Sequence, residues 1–236
     1  MKKAMKTHSD IEGHVFVVTY GRSGSTLVQN LLNAIPGYCI RGENANALGP
    51  LVRAWNNVRQ NDVLRNLARN QTETTAEHPW FGGERIASHR FGRQLANLFV
   101  REILTPPPGT RVTGFKEIRW SSDVASLPVV LNFLHTFLPN TKFVFNTRNH
   151  DDVARSAWWA EMPPEKAKAM LVEAETAFDR YRTNNPERCV LVHYDDYVAD
   201  HATLKPMYDF LGEPFDPAVV DQVMGRELTH LKGTGD

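Results

Sequence analysis

Residues 15–19, Val-Phe-Val-Val-Thr, form an unbroken apolar and β-branched run. They lead into a glycine-bearing turn, TYGRSGSTL, which opens onto a second apolar stretch, LVQNLL. A run that is apolar at every position, rather than every second one, suits a strand covered on both faces. Similar runs recur at Val112–Lys116, Lys142–Thr147 and Cys189–His193, and a shorter apolar segment, GYCI, precedes Arg41. Helical patterns fill the intervals at Ser25–Ala34, 46–70, 88–104, 122–137, 151–159 and 164–183. Strands alternating with helices predict an α/β chain with a mostly parallel sheet and helices on both sides. Residues 1–236 read as a single domain. Within it, 46–104 is too long for a plain crossover and is expected to be a helical insertion at one end of the sheet, on the acceptor side.

The turn after the first strand has the makings of an anion cradle. The first N–H groups of a helix lack intrahelical acceptors, and the helix dipole adds positive charge there. Gly21 and Gly24 let the backbone curl so that successive N–H groups converge. Ser23, Ser25 and Thr26 add hydroxyls, and Arg22 adds a fixed charge. A plain structural turn capped by serine is the competing reading. The loop is not a Walker A sequence, which needs four residues between its glycines and then Gly-Lys-Ser/Thr. Here Arg22 and Ser23 alone separate Gly21 from Gly24, and no lysine follows.

Charge narrows the partners. Basic and acidic residues balance at 27 each, so general attraction to nucleic acid or an anionic membrane is not indicated. No apolar run reaches the roughly 18 residues of a membrane span. The basic N-terminus lacks the apolar stretch of a secretory signal. The nine histidines and two cysteines show no metal-ligand spacing, so no metal is expected. Cys39 and Cys189 read as two buried thiols in a reducing cytoplasm rather than a disulfide.

A second segment, FVFNTRNHDDVARSAWW, places Arg148 just after a strand and Ser156 eight residues later, on the expected next helix. An arginine and a hydroxyl so placed can converge on one phosphate. A pairing of Arg148 with Asp151 or Asp152 is the simpler alternative. The Trp158–Trp159 pair reads as core. The arginines at 53, 59, 65 and 69 do not share one helical face. They read as a solvated surface, with an anionic-acceptor site as the lesser reading.

GRSGST and RNHDDVARS together resemble the 5′-phosphosulfate loop and the 3′-phosphate element of the sulfotransferases that use 3′-phosphoadenosine-5′-phosphosulfate (PAPS). VHYDDYVADHATLKPMYDFLGEPF, 192–215, resembles that superfamily's tyrosine-acidic segment and following helix. IRGENANAL, 40–48, resembles the tyrosylprotein sulfotransferase branch, where a glutamate after such a turn is the base. The resemblance spans almost the whole chain. It implies a P-loop-like three-layer fold and transfer of a sulfuryl group from PAPS to a hydroxyl or amine, with release of 3′-phosphoadenosine 5′-phosphate (PAP). The acceptor would be a small molecule, carbohydrate or peptide.

Carried over by position, the resemblance assigns Arg22, Ser23, Gly24, Ser25 and Thr26 to the 5′-phosphosulfate. It assigns Arg148 and Ser156 to the 3′-phosphate and puts Tyr194 near the nucleotide. Two departures stand out: small-molecule members usually carry lysine where Arg22 stands, and their C-terminal RKG loop is represented only by Leu231-Lys232-Gly233. Glu43 is the expected general base, with a helix-capping role as its alternative. Lys116, at a strand end, is expected to contact the transferring group. Glu117 points the other way and is a structural partner or second-choice base, with Arg119 beside it. His14 and His193 read as satisfied polar groups. Two rival functions remain open: a different P-loop transferase or kinase using ATP, and a non-catalytic nucleotide-binding module.

Overall fold

A computed structural model describes residues 11–226. Five strands, β1 (Gly13–Val18), β2 (Tyr38–Arg41), β3 (Val112–Glu117), β4 (Thr141–Thr147) and β5 (Cys189–His193), form one sheet in the order β2-β3-β1-β4-β5. Every pairing is parallel, with Phe16 opposite Phe115 on one side and Phe143 on the other. The central strand β1 is buried at all six positions, which is why its sequence is apolar from Val15 to Val18.

Alternate residues of the strands serve two cores. Phe16, Val18, Phe115, Phe143 and Phe145 face one set of helices. Val15, Val17, Ile40, Val144 and Val192 face the other. Phe16, Val18, Phe115, Phe143 and Phe145 are fully buried, and each such burial contributes about 1.5–3 kcal/mol. The second core is closed by α1 (Ser25–Asn33) and by α8 (Tyr194–Ala199), α9 (Lys205–Leu211) and α10 (Pro217–Met224). The result is a three-layer α/β fold.

The first core is closed by α2 (Leu48–Gln60), α4 (Ser88–Phe99), α5 (Leu127–Phe137) and α7 (Pro164–Asn184). Within the expected 46–104 insertion, α2 and α4 are therefore part of a main layer. Trp55 packs edge-on to Phe133, and Phe99 packs on Phe115 of β3. The expected single helix at 46–70 is two. Asn61 has extended backbone, and its side chain accepts the Leu64 N–H to start α3 (Asp62–Asn70). The 122–137 helix begins only at Leu127, after a 3₁₀ turn at Arg119–Ser122. The 151–159 helix is interrupted as well. α6 (His150–Ala154) stops, Ala157 adopts φ 51°, and a 3₁₀ turn follows at Ala157–Glu161.

Cys39 and Cys189 are free and only half-buried, on the two edge strands β2 and β5. Among the described residues no helix is long and apolar enough to cross a membrane. Lys232 lies outside the described residues.

Candidate active site

β1, β3 and β4 end together at the carboxyl edge of the sheet. The chain crosses over in opposite directions on either side of β1, and ligand sites form at such a reversal. A pocket of about 290 Å³ lies there. Its lining includes Gly24, Ser25 and Thr26 from the first loop, Arg22, Arg148, Lys116, Glu43 and Tyr194. Residues from five separate stretches of sequence thus meet in one cavity.

The first loop is held by a buried network of neutral groups. Thr19 Oγ1 donates to the Asn146 carbonyl at 2.8 Å. Its hydrogen being used there, it accepts from the Ser23 hydroxyl at 2.6 Å. The Asn146 side-chain amide donates to the Ser23 carbonyl at 2.8 Å, and the Tyr197 hydroxyl donates to Asn146 Oδ1. The side chain of Ser23 therefore turns inward and fixes the loop; it is not among the pocket's lining residues. Gly24 precedes α1 with φ 80°, and a Cβ there would overlap the Tyr194 ring. Glycine is required on both counts. Arg22 also has positive φ, 69°, which costs a non-glycine residue about 1–3 kcal/mol and is stabilised by its surroundings. The pocket floor carries the start of the nine-residue helix α1, whose first N–H groups have no intrahelical acceptor.

Arg22 and Ser156 meet directly: Arg22 Nε donates to Ser156 Oγ at 2.8 Å. Ser156 sits at the break after α6, not on its first turns, and Ala157's left-handed backbone turns it back toward the loop. Arg148 does not pair with Asp151 or Asp152, which bind Lys168 and Arg155 instead. Its guanidinium donates through Nη1 to the Arg22 carbonyl at 3.1 Å and lies 4.3 Å over the Tyr194 ring. Its Nε is buried without a hydrogen-bond partner.

Behind Arg148 stands a residue pair that the sequence did not suggest. The fully buried Tyr20 accepts the Arg148 N–H at 2.8 Å and donates to Glu175 Oε1 at 2.6 Å. Burial, then the Glu175 carboxylate, pushes the Tyr20 hydroxyl far up, so it stays protonated. Glu175 also meets His150 Nε2 at 3.0 Å. The two tryptophans part company. Trp159 is core and donates to the Gly21 carbonyl, while Trp158 is 46% exposed, lines the pocket and lies against Gly21. No local pattern distinguishes the two.

On the opposite wall, Lys116 Nζ donates to Glu43 Oε1 at 2.6 Å. Arg119 lies 3.3 Å from Glu43 Oε2 and 3.2 Å from Glu117 Oε1. Glu117 is fully buried. Its Oε1 also accepts the N–H groups of Ile118 and Arg119, while Oε2 has no partner. Capping of the turn after Glu43 falls to Asn44, whose side chain accepts the Ala47 N–H. Glu43 is left for the pocket. His193 is satisfied by Thr147 and Asp195, away from this wall.

Residues 14–217 match the model of the sulfotransferase family. The chain belongs to that family. Among solved structures, the fold is similar to the sulfotransferase domain of the Synechococcus PCC 7002 olefin synthase, at 19% identity and a TM-score of 0.59. That match covers all of this chain and 85% of the other. It is also similar to the sulfotransferase domain from the curacin biosynthetic pathway, at 15% identity and a TM-score of 0.52, covering 93% of this chain and 80% of the other. No curated protein sequence matches the chain.

Proposed function

We propose that the chain transfers a sulfuryl group from PAPS to an acceptor hydroxyl or amine and releases PAP. The observation that carries this reading is one pocket holding Arg22, Arg148 and Lys116, a helix N-terminus and the carboxylate of Glu43. The residues fit an anionic nucleotide. The buried, unpartnered Nε of Arg148 asks for an acceptor, and the cleft between Gly24 and Tyr194 has no room for any side chain at the loop. Arg22, Gly24, Ser25 and Thr26 would hold the 5′ end. Arg148 would hold the 3′-phosphate, with the Ser156 hydroxyl reaching it beside Arg22.

PAPS supplies an activated sulfuryl group on a phosphate leaving group. The chain's own residues do the rest. Arg22 presents a fork of donors to the leaving oxygens. Lys116 moves from Glu43 to the equatorial oxygens, which frees Glu43 Oε1. Glu43 then takes the acceptor's proton as the acceptor oxygen or nitrogen bonds to sulfur and the sulfur–phosphate oxygen bond breaks. Two free thiols support a reducing, cytoplasmic setting.

Binding is tested by thermal shift. A ligand that binds only the folded chain raises its melting temperature by mass action. PAP is expected to give a large shift, and AMP or magnesium-ATP a much smaller one. Arg148→Ala removes most of the preference for PAP. Equal shifts from PAP and AMP would show that Arg148 and Ser156 form no 3′-phosphate site. A larger shift from magnesium-ATP would point to a kinase.

A further inference from the structure

Two carboxylates stand behind the turn that carries Arg148. They are unexpected company for a phosphate ligand, since a negative charge nearby opposes a bound anion. Glu175 comes from α7 and Asp195 from α8. Neither is among the residues that line the pocket.

Both present an oxygen to the turn. Glu175 Oε1 accepts the Tyr20 hydroxyl at 2.6 Å, and that hydroxyl accepts the backbone N–H of Arg148 at 2.8 Å. The same carboxylate oxygen meets His150 Nε2 at 3.0 Å. Asp195 Oδ2 accepts the backbone N–H of Asn149 at 2.8 Å. Arg148, Asn149 and His150 are consecutive, and all three are bound to these two acids, the first by way of Tyr20. His193 extends the network. Its Nε2 meets Asp195 Oδ2 at 3.1 Å, which leaves Nδ1 to accept the Thr147 hydroxyl at 2.9 Å. Thr147 is the last residue of β4, directly before Arg148. Tyr194, the neighbour of Asp195, has its ring 4.3 Å from the Arg148 guanidinium. The backbone of the turn and the side chain it carries are thus held by adjoining groups.

We propose that Glu175 and Asp195 are positioning residues for a 3′-phosphate. They lock the turn at 147–150, so that Arg148 is aimed into the pocket before a nucleotide arrives. This rests on the reading of Arg148 as the 3′-phosphate ligand. Geometry and charge then act in opposite senses. Glu175 is 28% exposed and Asp195 38%, so solvent screens their repulsion of the phosphate. A guanidinium already in place loses little freedom on binding, and its contact to phosphate is charge-assisted. Geometry is the larger effect.

The test is titration calorimetry of PAP and AMP with the full chain carrying Glu175→Ala, Asp195→Ala, Glu175→Gln or Asp195→Asn. The alanine variants are expected to bind PAP about tenfold less tightly, the worth of one hydrogen bond to a charged group, and AMP within about twofold of the unaltered chain. The amide variants lose the charge but keep an acceptor oxygen, so their PAP affinity stays within a few-fold. Tighter PAP binding in the alanine variants would show that repulsion prevails and would overturn the proposal. Equal losses for PAP and AMP, as from a merely structural role, would also overturn it, and so would an unchanged PAP affinity. Hydrogen exchange of the unaltered, ligand-free chain needs neither a variant nor a nucleotide. The Arg148 and Asn149 amides are expected to exchange slowly even though Asn149 is exposed. Exchange at the rate of an unfolded chain would overturn the proposal. Equal affinity of the unaltered chain for PAP and AMP would instead strike the donor assignment, and the exchange result would still decide whether the turn is held.

Discussion

The loop after β1 and the charged wall around Glu43 face each other across one pocket, and they are held by opposite means. The loop is fixed from behind by neutral, buried hydrogen bonds among Thr19, Ser23, Asn146 and Tyr197. Its one arginine, Arg22, and the helix N–H groups remain turned toward the cavity. The wall holds itself: Lys116 and Arg119 are bound to Glu43, and Arg119 to Glu117. A neutral scaffold leaves charges available to a ligand. A charge cluster uses them on one another and must be opened before its members can act. On the proposed reading, the donor side is organised in advance and the base side is released by what enters.

The sharpest way to break this contrast is Glu43→Gln. It keeps the shape and loses the basicity, so turnover on an acceptor should fall roughly 10²–10⁴-fold. PAP affinity should stay within a few-fold, because the loop does not depend on the wall. The assay is transfer of labelled sulfuryl group, run against hydroxyl-bearing carbohydrates, peptides and phenols to find the acceptor. Near-full activity in Glu43→Gln, with activity lost in Glu117→Gln, would move the base to Glu117.

Glu117→Gln measures the wall's internal support. The amide can still accept the Ile118 and Arg119 N–H groups, but the charge opposite Arg119 is gone. Hydrogen bonds to charged groups are worth about 1.5–3 kcal/mol, so a fall in turnover of about tenfold is expected, with the PAP shift unchanged. If PAP affinity fell as much as turnover, the two sides would not be independent.

The smallest effect is expected at Tyr20→Phe, which tests the support behind the loop. It deletes the hydroxyl that accepts the Arg148 N–H and donates to Glu175. An unsatisfied buried donor costs about 1–3 kcal/mol, measurable as reduced stability in urea. PAP affinity should fall several-fold as Arg148 loosens, and AMP affinity should not. Equal losses for both nucleotides would mean that Tyr20 steadies the fold alone.

The sheet was legible because burial on both faces writes itself into a strand as an unbroken apolar run, as in Val15–Thr19 and Lys142–Thr147. The two candidate loops were legible because Arg22, Gly24 and hydroxyls cluster at Arg22–Thr26, and an arginine and a hydroxyl at Arg148 and Ser156. The helix breaks at Asn61 and Ala157 were not. Asn61 acts as a cap through its own side chain, and the turn at Ala157 is set by tertiary packing, since Trp159 bonds to Gly21 of a distant loop. The inward turn of Ser23 was equally hidden, because its partner Thr19 is directed by Asn146 on another strand.

By itself, then, the sequence determined the alternation of strands and helices, the glycine-bearing turn after β1 and the residue types available for chemistry. All three depend on patterns within a few neighbouring positions. Tertiary structure alone decided that Lys116 and Arg119 bind Glu43 and that Tyr20 and Glu175 stand behind Arg148. Those pairings join residues tens to more than a hundred positions apart, and only the packing of helices against the sheet brings them within hydrogen-bonding distance.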